Sequence, residues 1–389
     1  MRTKFSTRLN MNIFVRFTTI VVLCLSFVAT SEMPLQVRFL PCKTPSALAF
    51  QDSPDHDFLP PYLIARADLY AKLHNQQTPS AVSSSVPDSN PTAAYQEPER
   101  KEAASTPYVL IYDARGDNYL PGFRARFEHG DQSADTSVNK AFEFQVAMRS
   151  FLKKVFNRNS IDDKGADLVG TVHYGWHVNN AYWNKHQMLY GDGDGEFFNS
   201  FISIDIVGHE MFHAVTDSAC NLVYEGQSGA LDEHLSDVFG VLLRQWHENL
   251  TTDKDSWLLG SELFTGKVNG RALRDMRYPG TAYNDPFMGK DEQAAHMKDY
   301  VYTDDDNGGV HYNSGIPNKA FALFATAIGG KAWKTAGHVW FEVATAGHLA
   351  QNCDFQTFAN ETMAACAKQA PQDAPKLKAA WAAVGIKVA

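Results

Sequence analysis

His209-Glu210-Met211-Phe212-His213 constrains the fold of this chain more than any other stretch. Residues four apart on a helix share one face, so both imidazoles can reach a single metal ion. Glu210 then lies beside the metal's open position, where a base is needed to take a proton from bound water. A bare HExxH also arises by chance, so the flanks carry weight. At about 100° per residue, Ile204, Val207, Met211 and Val215 fall on the side opposite the two histidines. The expectation is a central metal-bearing helix, with one face packed and the other on a cleft.

That helix separates two kinds of sequence. Upstream, strand-like patterns cover 108–113 and 170–174, a helical pattern covers 141–156, and a Gly/Asp turn follows at 190–195. Downstream, amphipathic helical patterns recur over 231–246, 318–327, 332–346, 355–369 and 375–384. The fold class is therefore α+β in two lobes: a β-rich N-terminal lobe over 106–225, including the motif helix, and a helical C-terminal lobe over 226–389. Ahead of them, Arg2, Lys4, Arg8 and Arg16 precede an apolar run from Phe17 to Ala29, and no acid occurs before Glu32. Residues 1–31 read as a secretory signal, with an organellar transit peptide as the alternative; the run is too short for a stable membrane anchor. Residues 32–105 form a short pre-segment, with Phe58-Leu59-Pro60-Pro61-Tyr62-Leu63 as its apolar cluster, followed by a linker rich in Ser, Pro, Ala and Glu. The net charge of -9 comes without a basic stripe, which excludes a nucleic-acid partner. Five cysteines give no disulfide framework, and the three beyond the pre-segment, Cys220, Cys353 and Cys366, read as buried small residues. No oligomer signal is present, so a monomer is expected.

Two imidazoles make an incomplete catalytic site, and a third protein ligand is required. Glu233 is the candidate, with Asp237 one turn further on the same face. An acidic face bathed in solvent is the alternative, but Leu235, Val238, Phe239, Leu242 and Leu243 mark this helix as core-packed. His234 lies about 100° from Glu233 and is read as a bystander. With these residues in view the chain resembles the thermolysin family of zinc metallopeptidases. Further matching blocks are Asn179-Asn180-Ala181-Tyr182-Trp183-Asn184, the YGDGDG run at 190–195, GRALRDM at 270–276, and Asp306 to Gly315. The likeness covers about 108–389.

The resemblance implies one catalytic zinc held by His209, His213 and Glu233, with Asp237 and Asp232 orienting the histidines. It implies Glu210 as the base that moves a proton from water to the leaving amine, and Tyr224 and His311 as donors to the oxyanion, His311 being oriented by Asp306. It also implies Asn180 and Ala181 as the edge that pairs with substrate backbone and Arg274 as the grip on a peptide carbonyl. Phe198, Phe201, Ile206 and Leu273 then line an apolar pocket, and cleavage is expected on the amino side of Leu, Phe or similar residues in protein and peptide substrates. Calcium is possible, but the family's double-calcium site looks lost: Arg244, Leu258 and Ser261 stand where carboxylates are expected, and Arg244 is expected to pair with Asp205 instead. The brief pre-segment with its Pro-Pro-Tyr-Leu run resembles the protealysin-like branch, which implies a propeptide that blocks the cleft and is removed by the enzyme itself.

Overall fold

The computed structural model describes residues 56–74 and 106–388; the leader, the linker over 75–105, Cys24 and Cys42 lie outside the described residues. Along the chain come β1 (His56–Asp57), α1 (Pro61–Leu73), β2 (Val109–Asp113), β3 (Phe123–Phe127), α2 (Thr136–Phe156), β4 (Leu168–Val172), β5 (Ala181–Trp183), β6 (Met188–Tyr190), α3 (Ile204–Ala219) and α4 (Gly226–His247). The C-terminal helices are α5 (Asp306–Asn313), α6 (Gly315–Ile328), α7 (Ala336–Thr345), α8 (Phe355–Gln369) and α9 (Ala374–Ala383).

The first six strands form one mixed sheet in the order β1-β5-β6-β4-β2-β3. Its interior pairs β6–β4 and β4–β2 are parallel, and the β2 run Val109-Leu110-Ile111-Tyr112 is buried throughout, as an interior strand of a parallel pair requires. The other edge is β1, which comes from the pre-segment and pairs antiparallel with β5, His56 opposite Trp183 and Asp57 opposite Tyr182. Helix α2 begins at Thr136, five residues before the periodicity suggests, because the Asp135 carboxylate caps the Ser137 and Val138 amides.

The metal-motif helix α3 packs on α4 at the junction of the two lobes. They approach through glycine: a Cβ on Gly208 would lie 3.0 Å from the Gly240 Cα, and one on Gly240 would strike the Asp205 carbonyl. That proximity lets side chains on the two helices share one point in space. Both faces of α3 are buried from Ile204 to Thr216, unlike the half-open helix expected. The reason is the pre-segment, which lies over the face that carries the histidines. Cys220, Cys353 and Cys366 are buried and unpaired, and no described helix is long and apolar enough to cross a membrane.

Candidate metal centre and substrate cleft

His209 and His213 on α3 and Glu233 on α4 converge. The two Nε2 atoms are 3.0 Å apart, and the Glu233 carboxylate oxygens lie 3.5 Å from one and 3.4 Å from the other. Ligands about 2.0 Å from a tetrahedral ion stand about 3.3 Å from one another, so the donor set fits zinc in both chemistry and spacing. The opposite ring nitrogens face carboxylates, His209 Nδ1 at 2.9 Å from Asp237 and His213 Nδ1 at 3.5 Å from Asp232. That polarity turns the Nε2 lone pairs toward the shared point. Burial pushes His209 down to about 4.

Glu210 is fully buried, and neither of its carboxylate oxygens has a hydrogen-bond partner among the described residues. Burial raises it to about 8. Across the cleft, the run Asp306–Gly309 adopts left-handed backbone, and helix α5 then presents His311. His311 Nδ1 lies 2.7 Å from Asp306 Oδ1 and Nε2 lies 2.7 Å from the Asp57 carbonyl oxygen. Both partners can only accept, so the ring donates from both nitrogens and is an imidazolium. Glu233 and Asp306, against burial, accordingly hold it up to about 9. The Tyr224 hydroxyl donates to Glu233 here, and not into the cleft.

The expected substrate edge is taken by the pre-segment. Phe58 N–H donates to the Ala181 carbonyl at 3.2 Å and Leu59 N–H to Asn180 Oδ1 at 2.8 Å. Arg274 donates to the Phe58 carbonyl at 3.1 Å while pairing with Asp237 at 2.8 Å. The Phe58 ring packs edge-on to His209, with centroids 4.9 Å apart, and under the Arg274 guanidinium. Phe198, Phe201, Ile206 and Leu273 are all buried in the apolar cluster that includes Phe58, with Phe198 tilted against Phe201 and Phe264.

Residues 92–217 match the family model of the thermolysin metallopeptidase catalytic domain, and 220–386 that of the thermolysin metallopeptidase alpha-helical domain. An extracellular metalloprotease of Pectobacterium carotovorum subsp. carotovorum is 42% identical over 336 residues, 85% of this chain and 96% of the relative. The chain belongs to the thermolysin metallopeptidase family. Protease PrtS of Photorhabdus sp. (strain Az29) is 45% identical over 291 residues, 73% of this chain and 78% of that protein. Among solved structures, the precursor of protealysin, a metalloproteinase from Serratia proteamaculans, superposes with a TM-score of 0.75 at 42% identity, covering 85% of this chain and 99% of that one.

As a member of that family the protein is a metalloendopeptidase, and its structure adds residues that the sequence reading passed over. His56 stacks on His213 at 4.3 Å, between Asp217 at 3.4 Å and Asp232 at 3.5 Å. His234, read as a bystander, links the helical lobe to the metal side: Trp340 donates to its Nε2 at 2.7 Å, and its Nδ1 donates to Asn318 Oδ1 at 2.7 Å. Asn318 in turn donates to Asp237 at 2.8 Å. No local spacing signals these partners, since Asn318 and Trp340 come from helices far along the chain. The second of the two aspartates in the 190–195 run caps a turn, Asp194 accepting from the amides of Glu196, Phe197 and Phe198.

Proposed function

We infer that this thermolysin-family enzyme is a zinc-dependent endopeptidase, made as a self-processing precursor, that cuts on the amino side of bulky apolar residues. The observation that carries this reading is the convergence of His209, His213 and Glu233 within 3.5 Å of one another beside the bare carboxylate of Glu210. Bound there, zinc supplies Lewis-acid polarisation of a carbonyl and a water acidic enough to attack it. Glu210 accepts the proton of that water and delivers it to the leaving amine. His311, charged and anchored by Asp306, donates to the carbonyl oxygen as negative charge develops; Tyr224 is the second donor once its hydroxyl turns from Glu233. Arg274 grips the next carbonyl, and Asn180 with Ala181 aligns the backbone, so the peptide is held before the chemistry begins. Phe58, buried beside Arg274, supports an apolar preference just after the cut bond.

The pre-segment is the enzyme's own inhibitor in this reading, because β1 takes the substrate edge and His56 and Phe58 cover the ligand histidines. The leader, together with relatives named extracellular, supports secretion; N-terminal sequencing of native protein checks it. Arg244 pairs with Asp205 and Asp255 at 2.9 Å each, which supports an internal cation in place of calcium. Caseinolysis that 1,10-phenanthroline abolishes and added zinc restores is the expected behaviour. Glu210→Ala should bind zinc, fail to cut casein and stay full length. Activity that survives chelation, or a preference for charged residues after the cut in a peptide library, refutes the reading.

A further inference from the structure

We propose that the Asp57–Phe58 peptide bond is itself a processing site, held across the catalytic groups in the direction of a substrate and hydrolysed within the chain's own cleft. The inference rests on the endopeptidase reading above and adds which bond inside the inhibitor is cut. It follows from the polarity of one peptide group. His311 can only donate from Nε2 and it meets the Asp57 carbonyl oxygen, at 2.7 Å. The Ala181 carbonyl can only accept and it meets the Phe58 N–H, at 3.2 Å. The C=O and N–H of a single bond are therefore gripped from opposite sides.

The next groups continue the register. The Phe58 carbonyl accepts from Arg274 at 3.1 Å, and the Leu59 N–H donates to Asn180 at 2.8 Å. A strand running the other way along β5 could not make this series, since its donors and acceptors would be exchanged along the row. Phe58, the residue after the bond, is fully buried between His209 and Arg274, and it is of the apolar type the cleft is read to select. An inhibitor bound in reverse, or looped away from the catalytic groups, would be safe from turnover; this one presents a bond to them.

Hydrolysis adds the oxygen of one water to the Asp57 carbonyl carbon, breaks the C–N bond, and transfers a proton through Glu210 to the Phe58 nitrogen. The products are a carboxylate ending at Asp57 and an amine beginning at Phe58. The cut removes His56 from its stack on His213 and Asp57 from His311. Helix α1 keeps its own anchors: Arg66 on the Met288 carbonyl and Glu292, and Tyr62 against Tyr283. Cutting here therefore separates the part of the inhibitor over the ligand histidines from the part held by α1. A pre-segment released by cleavage in the linker alone would keep both and could rebind.

The experiment follows zinc-loaded full-length protein over time by intact-mass spectrometry and N-terminal sequencing, with caseinolysis measured in parallel. A new terminus at Phe58 and a fragment ending at Asp57 are expected, with first-order kinetics unchanged on dilution and neither product formed by Glu210→Ala. Phe58→Gly should slow this cut by a factor of about 10 to 100, the burial of one phenyl ring expressed as a rate, while the linker is still cut. Full processing and caseinolysis with the 57–58 bond intact overturn the inference and leave the endopeptidase reading standing. The same holds if Phe58→Gly is cut there at the wild-type rate, or if the rate falls on dilution. A zinc-loaded protein that cuts neither itself nor casein overturns the endopeptidase reading, and this inference with it.

Discussion

Asp237 serves three partners at once: it accepts from Arg274 and Asn318 and faces the Nδ1 of His209. Asn318→Ala should therefore act at a distance. It leaves Asp237 and His234 each short of a buried partner, costing about 1–3 kcal/mol of stability. It should also weaken zinc binding about tenfold or more in a chelator competition, because a ligand histidine loses part of its support; unchanged zinc affinity would show that the Trp340–His234–Asn318 chain is structural only. A second residue-scale prediction concerns His173, which Asp192 and then Asp135 hold charged up to about 9, against burial and from an ordinary 6.5. A raised pKa stabilises the folded state fully below about pH 6.5, and the contribution is lost as pH climbs through about 9. His173→Gln should lower the Tm at about pH 6 and converge with wild type near about pH 10. A deficit that is the same at both ends removes the ion pair from the account. At this scale the placing of Glu233 and Asp237 one turn apart on a single core-packed helix was legible from helical spacing. Asn318 was not, since it lies 81 residues from Asp237.

At the level of elements, the site depends on how closely α3 and α4 approach. Gly240→Ala places a methyl against the Asp205 carbonyl, and the helices must part to admit it. Overpacking of this kind costs about 1–3 kcal/mol. Because His209 and His213 stand on one helix and Glu233 on the other, zinc affinity should fall together with stability. A variant that loses stability yet holds zinc as tightly as wild type would mean that the donors adjust independently of the crossing. Helix identities were largely legible here: α8 (Phe355–Gln369) has the expected limits, and α9 (Ala374–Ala383) begins one residue earlier than expected. Starts set by caps and turns were not, as with α2, which Asp135 begins at Thr136, and α4, which begins at Gly226, five residues before its apolar periodicity shows.

On the scale of the molecule, a buried ion cluster ties α3 and α4 to the loop that follows. Arg244 spans Asp205 and Asp255, and the Gly260 amide also donates to Asp205. Arg244→Ala would strand two buried carboxylates and should cost about 3–5 kcal/mol. A calcium-selective chelator should leave the wild-type Tm where it is. A Tm that drops in that chelator and returns with calcium would put an ion back in this region. The pairing of Arg244 with Asp205 was expected from the family resemblance, which puts a carboxylate where Arg244 stands; the contribution of Asp255 was not, because a loop position is fixed only by folding.

The one-turn spacing of His209 and His213, the shared helical face of Glu233 and Asp237, and the passage from strand-rich to helical sequence were legible in the sequence alone, because helical and strand periodicities are short-range. Tertiary structure alone decided that the pre-segment forms the sixth strand of the sheet, which of its peptide bonds faces His311, and which distant amide steadies Asp237. Those contacts join residues from one end of the described chain to the other, and only the packed lobes bring them within hydrogen-bond reach.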